Sequence, residues 1–106
     1  MTHETVLVDL GRDFSWTPGG RYRADGQASA EDFRERLCEP VLDRGERLTV
    51  DLDGPIGLGS SFMEEAFGGL VRRYGLERFT ALVTIRSESR PERARRALEL
   101  AARAAR

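Results

Sequence analysis

Two adjacent serines follow a glycine-rich turn in the middle of the chain, and their position suggests chemistry more strongly than any other feature. Ser60 and Ser61 come after an apolar segment and the turn at residues 53–59, and they precede a stretch with helical periodicity. Serine hydroxyls at a helix start can cap the backbone, help to hold an anion or accept a phosphate. The residues leave these roles open, so Ser60 and Ser61 are a candidate phospho-acceptor or anion site.

Residues for catalysis and metal binding are scarce, which argues against an enzyme. His3 is the only histidine and Cys38 the only cysteine, so a Ser-His-Asp arrangement is improbable and no Cys/His ligand set exists. We therefore expect no catalytic residue, no metal and no cofactor. A lone cysteine cannot form an internal disulfide, which favours a cytoplasmic protein. We also expect no secretory signal and no membrane span, because no suitable apolar run is present.

Basic residues are unevenly distributed along the chain. All 17 of them are arginines, and residues 86–106 carry seven arginines against three acids. An arginine-rich terminal helix can bind nucleic acid, so a small phage- or defence-related binder of nucleic acid or of a nucleoprotein complex is an alternative function. A solvated helix face explains the same pattern more simply.

Strands alternate with helices along the sequence, which predicts an α/β fold in one domain spanning residues 1–106. Apolar and β-branched runs predict strands at residues 5–10, 21–24, 47–52 and 79–85. Three helices are expected between and after these strands. Ser29 is the predicted N-cap of the first helix, because Glu31 and Asp32 follow it.

The predicted second helix has clear start and stop signals. Ser61 and Glu64 fit a capping box, and Gly75 is a natural stop. Gly68 and Gly69 interrupt the helix, and each glycine costs about 1 kcal/mol relative to alanine. The glycine pair therefore indicates close packing against another element or a partner.

Several segments together resemble a known family. They are PGGR at residues 18–21, DG at 25–26, SAEDFR at 29–34, LTVDLDG at 48–54 and SSFMEEAFGGL at 60–70. The pattern resembles STAS domains, the fold of anti-sigma-factor antagonists, and more closely the bacterial STAS-like domains of unknown function. The similarity covers roughly residues 5–86. It implies a mixed, roughly four-stranded sheet with about three helices packed on it, and a non-enzymatic regulatory module.

The resemblance also implies how such a module works. In the antagonists, the helix that follows the serine docks on a serine kinase that is also an anti-sigma factor, and phosphorylation of that serine breaks the complex. STAS-like domains of this subgroup often accompany histidine-kinase-type ATPases. We therefore expect an ATPase- or kinase-like protein partner at the helix that begins at Ser60 and Ser61. The residues expected to contact it are an exposed Phe62, Glu64, Glu65, Arg21 and Asp25.

Overall fold

A parallel three-stranded sheet forms the centre of the domain. The computed structural model describes residues 4–105, so His3 and the final Arg106 lie outside the described part. The strands are β1 (Thr5–Asp9), β2 (Arg47–Asp51) and β3 (Val83–Arg86). They lie side by side in chain order. Parallel neighbours require a crossover connection, and helices supply both of them.

Helical segments make up most of the remaining chain. In chain order they are the π turn Leu10–Phe14, the 3-10 turn Arg23–Asp25, Ala30–Phe33, the π turn Arg34–Cys38, Glu39–Asp43, Ser60–Met63, the π turn Glu64–Gly68, Gly69–Tyr74, Leu76–Leu82 and Pro91–Arg103. Residues 30–43 form one continuous first helix and residues 60–74 one continuous second helix, each containing a π turn. Pro91–Arg103 is the C-terminal helix. Within residues 4–105, no helix is both long and apolar enough to cross a membrane.

The core lies on one face of the sheet. Alternate strand residues point into it, namely Val8, Leu48, Val50, Val83 and Ile85. The second helix contacts both the first helix and the C-terminal helix, so the helices form a single layer over this face. Leu7 and Thr84 lie on the opposite face and are exposed. The sheet therefore has one covered face and one open face.

An aromatic cluster joins the first two helices to the turn after β1. The ring of Phe33 lies with its centroid 5.3 Å from that of Phe14, 5.8 Å from that of Phe62 and 6.4 Å from that of Phe67. Tilted and edge-on contacts at such distances add to the energy of apolar burial. Through Phe62, the cluster packs the first turn of the second helix against the core.

One predicted strand, at residues 21–24, is absent from the sheet, the strand predicted at residues 79–85 begins only at Val83, and the sheet is parallel rather than mixed. Residues 79–82 belong to the helix Leu76–Leu82, which buries Phe79 while the next two residues stay exposed. Residues 21–24 run into a tight turn instead of pairing. The carbonyls of Gly20 and Arg21 accept hydrogen bonds from the first helix, so this backbone caps a helix. In the described residues, the helical segments also outnumber the three that were predicted.

The glycine pair of the second helix is closely packed, as the sequence indicated. A Cβ atom at Gly69 would lie 2.7 Å from the side chain of Arg34, and one at Gly68 would lie 3.2 Å from the Cβ of Ala104. Arg34 crosses the second helix at this point and its guanidinium pairs with Glu65 at 3.2 Å. Glycine is needed here because any larger residue would displace the crossing side chain.

Candidate protein-binding surface at the carboxyl edge of the sheet

The loops after the three parallel strands meet at the carboxyl edge of the sheet. Ligands of open α/β sheets usually bind at such an edge. A cavity of about 450 Å³ opens there and is lined by Asp51, Asp53, Arg86, Ser87 and Glu88. The acids at the end of β2 are already used within the fold, because Asp51 accepts hydrogen bonds from the amide of Asp53 and from Arg86.

Asp53 ties the loop after β2 to the loop after β3. Its carboxylate accepts a hydrogen bond from the hydroxyl of Ser87 and one from the amide of Ser89 at 3.2 Å. These bonds, the Ser87 hydroxyl first, lower the pKa of Asp53 below its usual range. Among residues 4–105, no group of three or more His, Cys, Asp and Glu side chains is placed to hold a metal ion.

Arg93 of the C-terminal helix holds the same loop from the inside. It is only 8% exposed. Its guanidinium donates to the carbonyl oxygen of Leu52 at 2.7 Å and to that of Ile56 at 3.4 Å. Arg90 donates to the Ile56 carbonyl as well, also at 3.4 Å. Burial lowers the pKa of Arg93, yet an arginine remains charged at neutral pH. Composition alone did not separate this buried arginine from its solvated neighbours.

Trp16 and Ile56 form an apolar patch on this edge. The Ile56 amide donates to the Trp16 carbonyl oxygen at 2.9 Å, which joins the two loops. The indole ring lies over two glycines, because a Cβ atom at Gly11 or Gly54 would lie 2.6 or 2.7 Å from it. Trp16 is 54% exposed and Ile56 is 76% exposed. Neither residue was among the predicted contacts, because the packing of the indole on Gly11 and Gly54 joins residues that are distant in sequence.

The second helix begins at the same edge with an open N-terminus. Gly59 is the N-cap residue and has no side chain to cap with, and the first backbone bond runs from the Met63 amide to the Gly59 carbonyl at 3.2 Å. Ser60 and Ser61 are both exposed. The amides of Ser60, Ser61 and Phe62 have no acceptor in the part of the chain that the structure describes.

The predicted capping box of Ser61 and Glu64 is wrong. The Glu64 carboxylate turns away from the helix start and accepts hydrogen bonds from Arg72 at 2.6 Å and from Arg21. These two arginines, Arg72 first, hold the pKa of Glu64 below its ordinary value. Ser61 therefore keeps a free hydroxyl at the surface.

The prediction that Phe62 is an exposed partner contact is also wrong. Phe62 is 2% exposed, and its ring packs against those of Phe14 and Phe33. Glu65 is buried too, between Arg34 and Arg72. Packing on both sides explains the two errors, because the second helix lies between the first helix and the C-terminal helix and residues 65–71 are all buried.

A scan against protein-family models matches residues 29–92 to the STAS-like domain of unknown function. The chain belongs to this family. The matched segment of this STAS-like domain includes Ile56, Ser60 and Ser61, whereas Trp16 lies before it. No match to the chain was found among curated proteins or among solved structures.

The two remaining predicted contacts of the STAS-like domain, Arg21 and Asp25, both lie in the loop before the first helix. Arg21 is partly exposed and reaches across to Glu64, so this pair does come together. Asp25 is exposed and its carboxylate accepts a hydrogen bond from the Tyr22 amide at 3.0 Å, which closes the turn at Arg23–Asp25. Asp25 thus stabilises the turn that precedes the first helix, and it is not part of the patch of Trp16 and Ile56.

Proposed function

We propose that this STAS-like domain is a non-enzymatic regulatory module that binds a protein partner at the carboxyl edge of the sheet. The docking surface consists of Trp16, Ile56, Ser60 and Ser61, and we name it the edge surface. The observation that carries the proposal is the pair of large apolar side chains held exposed beside the open helix start.

Rigid support makes the edge surface suitable for binding. Trp16 rests on the backbone of Gly11 and Gly54, and two arginines hold the loop that carries Ile56. Little side-chain or loop entropy is then lost when a partner binds. Tryptophan is among the residues that most often contribute large shares of binding energy at protein interfaces.

The edge surface replaces the helix face that the sequence favoured. Phe62 is 2% exposed and Glu65 is 7% exposed, so neither side chain offers a contact area to a partner. The helix start itself stays accessible through Ser60 and Ser61. The proposed docking site is therefore the loop and the first residues of the second helix, and not the face of that helix. The kind of function proposed remains the same.

Resemblance to the anti-sigma-factor antagonists supports a kinase- or ATPase-like regulator as the partner. In those proteins a serine at the start of the corresponding helix accepts a phosphate, and the complex then breaks. Ser60 and Ser61 have the exposure that a kinase requires. We place this regulation in the bacterial cytoplasm, which agrees with a single cysteine that is fully buried and unpaired.

The nucleic-acid alternative receives less support. Arg93 is buried against loop carbonyls, and Arg96 lies 3.6 Å from Glu99 on the same helix. The C-terminal helix therefore offers fewer free cations to phosphates than its composition suggested.

Affinity capture with matched variants tests the proposal. The intact domain, Ile56→Glu and the control Leu98→Glu are each used as bait in lysate of the source organism, and captured proteins are quantified by mass spectrometry. Leu98 is 46% exposed on the C-terminal helix and serves as an apolar surface site outside the edge surface. We expect Ile56→Glu to lose a partner that the wild type and Leu98→Glu retain.

The same samples also show whether Ser60 or Ser61 is phosphorylated. Phosphopeptides containing Ser60 or Ser61 are sought in the bait recovered from cells that express the intact domain. Equal capture of every protein by the three baits would contradict docking at the edge surface. Absence of phosphate at either serine, with partner capture intact, would remove only the phosphorylation part of the proposal.

A further inference from the structure

We propose that the partner segment that docks on the edge surface is acidic. An apolar side chain of this segment lies on Trp16 and Ile56, and its carboxylates face Arg90 and the open start of the second helix. The inference rests on the proposed function and adds the chemistry of the partner to it.

Two positively charged side chains lie against the backbone of Ile56. Arg90 is exposed, Arg93 is buried, and both donate to the Ile56 carbonyl oxygen. Within residues 4–105, neither guanidinium forms an ion pair. A buried cation is ordinarily paired with an anion, because its desolvation is costly. Glu92 and Asp53 attract Arg93 only over a longer range, and the direct contacts of both arginines at this loop are with carbonyl oxygens.

The carboxylate of Asp53, in the loop that carries Ile56, forms no direct ion pair with Arg90 or Arg93 and attracts Arg93 only over a longer range. Asp53 directs its oxygens to the Ser87 hydroxyl and the Ser89 amide, on the β3 side of the loop. Glu88 lines the cavity on that same side. Negative charge therefore gathers over the cavity, and positive charge gathers over Ile56 and the start of the second helix.

The open helix start adds a further positive pole. Three backbone amides, those of Ser60, Ser61 and Phe62, have no acceptor in the described part of the chain. The aligned peptide dipoles of a helix amount to about half a positive charge at its N-terminus. No acidic residue lies within Ser60–Met63 to complement this pole from inside the domain. A carboxylate of a partner can satisfy these amides.

Apolar and charged features together define the ligand. Trp16 and Ile56 favour an apolar anchor, whereas the amides and Arg90 favour carboxylates beside it. A phosphate on Ser60 or Ser61 adds about 1.5 to 2 negative charges at this position. It would therefore repel an acidic segment, which agrees with a partner that leaves on phosphorylation.

Peptide display on the intact domain tests the inference. A random peptide library is selected on the wild type and depleted on Ile56→Glu, so that only peptides that need the edge surface remain. We expect Asp and Glu to be enriched over Lys and Arg next to an apolar anchor. Binding of one enriched peptide is then measured through the fluorescence of Trp16, which is the only tryptophan.

Charge variants give the quantitative readout. Arg90→Glu is expected to weaken the peptide by about tenfold, because it replaces an attractive charge at the edge surface with a repulsive one. The control Arg103→Glu, an exposed cation at the far end of the same helix, is expected to leave the affinity unchanged. Circular dichroism of each variant checks that the fold is intact, and Arg90→Gln serves if Arg90→Glu does not fold.

The other outcomes separate the acidic character of the partner from the location of the docking surface. Selected peptides that depend on Ile56 but are neutral or basic would overturn the acidic partner and leave the docking surface standing. A selection that yields no peptide dependent on Ile56 would count against the docking surface as well. Tighter binding of a short single-stranded DNA that also depends on Ile56 would replace the acidic protein segment with a nucleic acid.

Discussion

The first and second helices both begin at the carboxyl edge of the sheet, yet their starts differ. At the first helix, the amides of Ala30 and Glu31 donate to loop carbonyls at 3.1 and 2.8 Å. The Asp32 amide donates to the Ser29 hydroxyl oxygen at 3.1 Å. At the second helix, the equivalent amides have no acceptor in the described part of the chain. The first start is closed by hydrogen bonds, and the second is open.

The difference indicates which start has a structural role and which can bind a ligand. The loop before the first helix folds over its N-terminus and buries Ser29. The loop before the second helix turns its carbonyls toward Arg93 and leaves two serines exposed. Stability at the second start comes from Phe62 in the aromatic cluster, so the polar groups remain free for a partner.

Removing the packing under the open start has the largest expected effect. Phe62→Ala should lower the free energy of unfolding by about 3–5 kcal/mol, because it deletes a buried aromatic side chain and leaves a cavity. Urea denaturation followed by circular dichroism measures this change. Ile56→Ala is the control and should stay within about 0.5 kcal/mol of the wild type. A loss below about 1 kcal/mol for Phe62→Ala would mean that Phe62 is exposed in solution.

Replacing a serine at each helix start with alanine has an intermediate expected effect on the free energy of unfolding. Ser29→Ala should destabilise the domain by about 1 kcal/mol, since it removes the acceptor of the Asp32 amide. Ser61→Ala should change the unfolding free energy by less than about 0.5 kcal/mol, because its hydroxyl caps nothing. Thermal and urea unfolding of both variants compare them directly. Equal losses at the two serines would show that the second start is capped after all.

Closing the open start has the smallest effect on stability. Gly59→Asp places a carboxylate at the N-cap position and should stabilise the domain by a few tenths of a kcal/mol. The same carboxylate would occupy the amides that an acidic partner uses, so peptide affinity should fall while stability rises. Paired unfolding and fluorescence titrations follow both quantities. A variant that gains stability and also binds the acidic peptide more tightly would contradict the open-start interpretation.

Local signals in the sequence predicted part of the fold correctly. Ser29 caps the first helix through the Asp32 amide, and Gly75 ends the second helix with φ at +90°. The alternation of strands and helices predicted the α/β class, although not the fully parallel pairing of the three strands. These features depend on a few neighbouring residues, which is why composition and spacing are sufficient to predict them.

Features that depend on contacts between residues far apart in the sequence could not be predicted from local signals. Phe62 and Glu65 are buried because the second helix is packed between the first helix and the C-terminal helix, and helical periodicity does not show such contacts. Residues 79–82 have strand-like composition but form a helix that buries Phe79. Arg93 is buried because it meets carbonyls some forty residues earlier in the chain. Nothing near it in sequence distinguishes it from the exposed arginines.

The central claim is that the open start and the adjacent apolar patch bind the partner, and amide chemical shifts test it most directly. An enriched acidic peptide is titrated into the nitrogen-15-labelled domain. The account predicts that the Trp16 indole and the amides of Ile56, Ser60 and Ser61 shift, while those of Ala30 and Glu31 at the closed start do not. Shifts confined to the closed start, or to the C-terminal helix, would contradict it.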